Sequence, residues 1–144
     1  MAIQVPISKT IISTTQWGIP ITNEVNRVAS LVDGRTPTVW TALTLTNGWT
    51  STGSNGTPGY RKIGDMVYLR GMISGGANST TCATLPTGFR PPSLTDLICY
   101  QWPSAPGACL ASIAASGAIT IVSITGTPPP LYVSLASAFF SITP

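Results

Sequence analysis

The chain has 144 residues, of which 43% are hydrophobic and only 8% charged, with a net charge of +3 from seven basic and four acidic side chains. That length suits one domain that buries a core without disulfides. The charge content lies far below the roughly 25% of an ordinary soluble domain, so much of the surface is expected to be covered by copies of the chain itself. The basic residues are scattered, with only Arg61 and Lys62 adjacent, which excludes the clustered stripe that displaces phosphate counterions from nucleic acid. No apolar run approaches the ~20 residues of a spanning helix, so neither nucleic acid nor membrane is an expected partner.

Residues 1–10 hold one Lys and no apolar run followed by a small-residue cleavage site, so no signal peptide is expected. Ile3, Val5 and Ile7 alternate with polar residues and Pro6, and Ile11 and Ile12 follow. This is the pattern of an extended arm that adds to a neighbour's sheet edge or groove, with Ile3, Val5, Ile7 and Ile11 as the docking residues. A first strand of the domain's own sheet is the alternative.

Residues 17–33 carry the one helical period. Pro20 suits the first turn, and Ile21, Val25, Val28 and Val32 recur at spacings of four, three and four to form one apolar seam. Gly34 supplies the stop. A helix this short is marginal alone. Its seam either packs on its own β-domain or meets two other copies around an axis, and β-branched seam residues favour more than two strands.

Beyond residue 36 the helical period disappears. Strands are expected at 39–46, 60–63, 66–73, 80–85, 97–102, 109–115, 118–124 and 131–142. Between them lie turn signals such as Asn47-Gly48, Gly64-Asp65 and Ser116-Gly117 and the Pro-rich connections 86–92, 103–107 and 126–130. In 66–73, Val67, Leu69 and Ile73 share one face while Tyr68 and Arg70 share the other, so one side is buried. About eight strands without an intervening helix define a mainly β chain, an antiparallel, jelly-roll-like β-sandwich over 36–144 behind an arm and helix over 1–35.

Chemistry is sparse. There is no histidine, hence no common acid–base partner for a Ser or Cys nucleophile. Cys82, Cys99 and Cys109 lack C-x-x-C spacing, so no zinc site is expected, and they read as buried thiols with a Cys99–Cys109 bridge as the alternative. The acids Glu24, Asp33, Asp65 and Asp96 are dispersed, which argues against calcium. Only Asp65 and Asp96 offer a conceivable glycosidase pair. No cofactor motif is present, and the chain reads as a non-enzyme. Among the aromatics, Trp49, Tyr60 and Trp102 stand beside loops and are the candidate glycan contacts.

Three stretches carry a resemblance: residues 40–49 (Trp-Thr-Ala-Leu-Thr-Leu-Thr-Asn-Gly-Trp), 60–71 (Tyr-Arg-Lys-Ile-Gly-Asp-Met-Val-Tyr-Leu-Arg-Gly) and 85–92 (Leu-Pro-Thr-Gly-Phe-Arg-Pro-Pro). Together they resemble a β-domain of virion appendage proteins of tailed bacteriophages, particularly those of actinobacteria, where it is a trimer-forming module of tail fibres, minor tail proteins and head decorations. The front, with Ile12-Ser13, residues 17–20 and residues 23–26, is similar to the start of small phage tail or decoration proteins. The resemblance implies a homotrimer with Ile21, Val25, Val28 and Val32 at its interface. It also implies a place on the virion surface after assembly in the host cytoplasm, and partners in the tail tip or the major capsid protein. Host-surface glycan is the alternative partner. Asn47-Gly48 and Gly64-Asp65 are expected to set hairpins, and Arg61 and Arg90 to cap loops by hydrogen bonding.

Overall fold

The computed structural model describes residues 18–33, 35–102, 107–123 and 132–144, and side chains in the helix from Val25 to Val32. Contacts divide the chain into residues 1–36 and residues 37–144, taken in turn below. The docking residues Ile3, Val5, Ile7 and Ile11, the side chain of Ile21, the expected stop at Gly34 and residues 103–106 and 124–131 lie outside the described residues.

Helix α1 (Gly18–Asp33) starts where Pro20 costs nothing, because the first-turn amides have no acceptor within the helix. Ser30 Oγ donates back to the Asn26 carbonyl at 2.9 Å, and Arg35 N–H closes the last turn on the Val32 carbonyl at 2.9 Å. Val25, Val28, Leu31 and Val32 are all exposed. Among the described side chains this apolar stripe is therefore exposed, and exposed apolar surface by itself stabilises nothing.

Residues 37–144 form two antiparallel sheets. The four-stranded sheet has the order β1 (Thr41–Ala42), β3 (Gly59–Ile63), β4 (Met66–Arg70) and β11 (Phe139–Ser141). The seven-stranded sheet has the order β2 (Thr50–Ser51), β5 (Met72–Ser74), β10 (Tyr132–Ser134), β7 (Thr95–Trp102), β8 (Gly107–Ile113), β9 (Ala118–Ser123) and β6 (Thr80–Thr84). Val67, Leu69 and Phe140 from the smaller sheet share one core with Ile73, Cys99, Ile113, Ile119, Ile121 and Val133 from the larger. This is the mainly β, antiparallel sandwich that the alternation implied.

Period-two patterning explains which side faces in. In β8, Gly107, Cys109, Ala111 and Ile113 are buried while Ala108, Leu110 and Ser112 are half-exposed. In β6 the rule breaks, for Cys82 and the adjacent Ala83 are both buried. The pairing with β9 slips between Thr81 and Ala83, so a bulge turns two consecutive residues inward.

Strands β6 to β9 make a Greek key. The meander β7–β8–β9 is preceded by β6, which lies beside β9, so the chain crosses between β6 and β7. Residues 86–92 make that crossing, with Pro91 fully buried and Arg90 Nε donating to the Leu85 carbonyl at 2.8 Å. Arg90 is thus the expected loop cap.

Two expected strands are each split between sheets. Gly71 ends β4 at φ +91°, and a Cβ there would sit 2.6 Å from Pro58. Only glycine permits that turn, which sends residues 66–70 to one sheet and 72–74 to the other. Residues 131–142 divide likewise, because a turn at Ala136-Ser137 separates β10 from β11. Gly64-Asp65 does join the hairpin β3–β4. Asn47-Gly48 does not set a hairpin. Its residues, at φ 53° and 79°, carry the chain from the small sheet to the large one, and Asn47 Nδ2 anchors the turn on the Thr81 carbonyl at 2.8 Å.

Candidate functional site

Trp49 is not a surface aromatic. It is 3% exposed, its indole N–H donates to Thr80 Oγ1 at 3.0 Å, and a Cβ on Gly76 would fall 2.1 Å from its ring. The Asn47-Gly48 turn throws it inward, and Gly76 packs flat against it. Tyr60 is half-buried against the core, with Phe89 edge-on at 4.9 Å and 70°. Trp49 offers no face to a ligand, so the expectation that it contacts glycan is corrected, whereas Tyr60 is half-buried on the small sheet, apart from Trp102 on the large one.

Trp102 is different. It ends β7 and is 54% exposed, on the outward face with Ile98 and Tyr100, while Cys99 and Gln101 between them are buried. Register sets Tyr132 of β10 directly opposite Trp102, and Ser134 opposite Tyr100. Tyr100, Trp102, Tyr132, Met72, Thr52 and Ser54 line an open hollow of about 550 Å³. A second hollow, of about 520 Å³, continues past Tyr100 to Ile98, Ala108 and Ser137. The cross-strand row Ile98–Leu110–Val122 extends the apolar face over three strands. Next to it runs a polar row, in which Ser112 Oγ donates to Asp96 Oδ1 and the Thr81 and Thr120 hydroxyls meet at 3.4 Å.

Three aromatic rings with phenol and indole edges beside Thr52 and Ser54 suit the alternating C–H faces and hydroxyls of a saccharide. The sequence pointed to one of the three, Trp102. It missed Tyr100 because β7 is apolar on both parities, so alternation alone does not say which set faces out, and Tyr132 because its place beside Trp102 is set by the long-range pairing of β10 with β7.

Asp65 and Asp96 do not converge. Asp65 is exposed in the β3–β4 turn of the small sheet, whereas Asp96 lies on β7 of the large sheet, hydrogen-bonded to Ser112. Among the described residues no three of His, Cys, Asp and Glu gather as metal ligands, and no helix is long and apolar enough to cross a membrane. All three cysteines are free and buried, and Cys99 pairs in register with Cys109. Burial pushes the thiols of Cys82 and Cys99 up from 9.0 to about 12 and that of Cys109 to about 11, with neighbouring thiols adding to the rise at Cys99. Such thiols are poor nucleophiles.

A two-sheet antiparallel sandwich with an aromatic outward face is therefore the class of molecule in hand. No protein-family model matches the chain, and no curated protein matches it. Among solved structures it is similar to the crystal structure of the receptor binding protein (gp15) of Listeria phage PSA. The TM-score is 0.65 at 20% identity, covering 89% of this chain and 80% of that one. The two share a fold.

Proposed function

We propose that the chain is a non-catalytic structural protein of a tailed phage, a homotrimeric appendage on the virion surface held to the particle by residues 1–35. The observation that carries this reading is the fold shared with a phage receptor binding protein across most of both chains. The tail is the preferred platform, in keeping with that neighbour, with a capsid decoration as the alternative. The exposed stripe Val25, Val28 and Val32, with Ile21 in the same period, supports the trimer, because an apolar seam left in water needs a partner. The arm residues Ile3, Val5, Ile7 and Ile11 supply the docking contacts to other virion proteins.

The aromatic hollow favours the receptor-binding form of this reading: Tyr100, Trp102 and Tyr132 contact a host-surface saccharide. Phage carrying Trp102→Ala is expected to adsorb to host cells at least about tenfold more slowly while assembling normally, the loss expected of one stacked anchor at a contact centre. Unchanged adsorption would remove the hollow from the receptor contact.

Sedimentation equilibrium at micromolar concentration tests the trimer, and a monomer there would overturn it. Val25→Asp with Val28→Asp should dissociate it by placing desolvated like charges along the axis. Deleting residues 2–12 should leave the β-domain's thermal midpoint in place and abolish incorporation into particles. A truncated chain that still incorporates would end the docking assignment.

A further inference from the structure

The outward face of the four-stranded sheet has no part in the reading above, and its chemistry differs from that of the aromatic hollow. Val67, Leu69 and Phe140 point inward, so Tyr68, Arg70 and Phe139 between and beside them point outward. Register puts Arg61 opposite Tyr68 and Phe139 on its other side. Strand β1 pairs Thr41 with Tyr60, which brings Trp40 alongside Arg61. The guanidinium carbons of Arg61 and Arg70 both lie over the Trp40 ring, at 4.6 and 4.5 Å from its centroid. Next to them Tyr68 and Phe139 stack with centroids 5.9 Å apart at 29°, and Phe139 is exposed.

Two cations on one indole repel each other, and among the described residues of 37–144 no acid lies beside them. Only two of the chain's four acids belong to residues 37–144. Asp65 is in the turn at the far end of the hairpin, and Asp96 is on the other sheet with Ser112. Arg70 Nε donates to the Thr57 carbonyl at 3.3 Å, and Arg61 Nε is buried without a hydrogen-bond partner. Arg61 is therefore not the loop cap that its position in the sequence suggested. Each cation–π contact contributes only about 0.5–1 kcal/mol at an exposed site, a modest return for holding like charges together over an unsatisfied donor. Planar guanidinium forks held against a ring are, in contrast, suited to bidentate capture of a phosphate or carboxylate.

We propose that Trp40, Arg61 and Arg70, with the Tyr68–Phe139 stack, form a second binding site, for an anionic saccharide. Its phosphate or carboxylate sits between the guanidinium groups, and a sugar ring lies against the Tyr68–Phe139 stack. The proposal rests on the receptor-binding reading only for the source of the ligand, the host surface.

The test titrates the purified full chain by calorimetry with polygalacturonate, poly(glycerol phosphate) and neutral dextran. Binding to an anionic polymer and not to dextran is expected, and the better polymer identifies carboxylate or phosphate as the anion. Arg61→Gln with Arg70→Gln should weaken it by at least about tenfold, whereas Arg35→Gln with Lys62→Gln, equal in charge, should change it by less than about twofold. Absence of binding to both anionic polymers, or equal losses in the two double variants, would overturn the site. Should the glutamine pair fail to fold, Arg61→Lys with Arg70→Lys keeps the charge but loses the planar fork, and a loss of several-fold is then expected, with full affinity overturning the proposal. Particle incorporation is scored separately. A wild-type chain that binds polymer but never enters particles would refute the appendage reading and leave the site standing.

Discussion

The sandwich turns two unlike faces outward. On the large sheet, Ile98, Tyr100, Trp102, Tyr132, Leu110 and Val122 make a neutral surface, and the one charged side chain among the described residues of that sheet, Asp96, is at its polar margin with Ser112. On the small sheet, Trp40, Tyr68 and Phe139 are interleaved with Arg61 and Arg70. Both faces arise from the same alternation over one shared core, so the difference is in chemistry and not in architecture. Aromatic exposure alone therefore does not define a ligand, because the charge set between the rings decides whether a neutral or an anionic partner fits.

The contrast depends on which tryptophans are structural, and Trp49 gives the largest expected effect. Its ring fills the core and its N–H is satisfied by Thr80, so Trp49→Ala should cost about 3–5 kcal/mol in a urea unfolding curve. Gly76→Ala should also destabilise clearly, because the new methyl meets the ring of Trp49 and the core leaves that ring little room to shift. A mild effect of Trp49→Ala would mean that the interior assignment is wrong.

Next is the pH response of the thiols beneath the large sheet. In the unfolded chain they ionise near 9.0, whereas in the fold they keep their protons to about 11 or 12. Between those values the unfolded state binds fewer protons, so their contribution is fully present below about pH 9 and is lost as pH rises toward 12. Native protein at about pH 8 should accordingly resist iodoacetamide that modifies all three cysteines in urea. Rapid native labelling of Cys99 or Cys109 would show the large sheet opening under its aromatic face.

Trp40 should show an intermediate effect. Removing it takes away two cation–π contacts at a half-buried ring, so Trp40→Ala is expected to lower stability by about 1–2 kcal/mol. A second loss, of anionic-polymer affinity, should accompany it. The smallest effect belongs to Trp102→Ala, which should stay within about 0.5 kcal/mol of the wild type in unfolding, since its side chain is exposed on the outward face. A large destabilisation there would turn the hollow from a contact surface into a structural element.

Much of this was legible in the residues. The helical seam ending at Val32, the turn glycines and the period-two runs were sufficient for a mainly β chain with a helix before it, because periodicity and turn chemistry are local properties. The resemblance in residues 40–49, 60–71 and 85–92 implied a β-domain, and the β fold shared with a phage receptor binding protein agrees with that much.

Tertiary structure decided what local pattern leaves open. Residues 66–74 read as one alternating strand, yet Gly71 gives them to two sheets because Pro58 occupies the space a side chain would need. Trp49 and Trp102 stand beside loops alike, and only the inward throw of the Asn47-Gly48 turn buries the first while the register with Tyr132 exposes the second. Arg61 reads as a loop cap until β1 brings Trp40 beside it. Alternation in a sequence says that two faces exist, whereas which face meets the core, and which residues from distant strands stand next to each other on it, is set by register and sheet order, and these arise from long-range pairing.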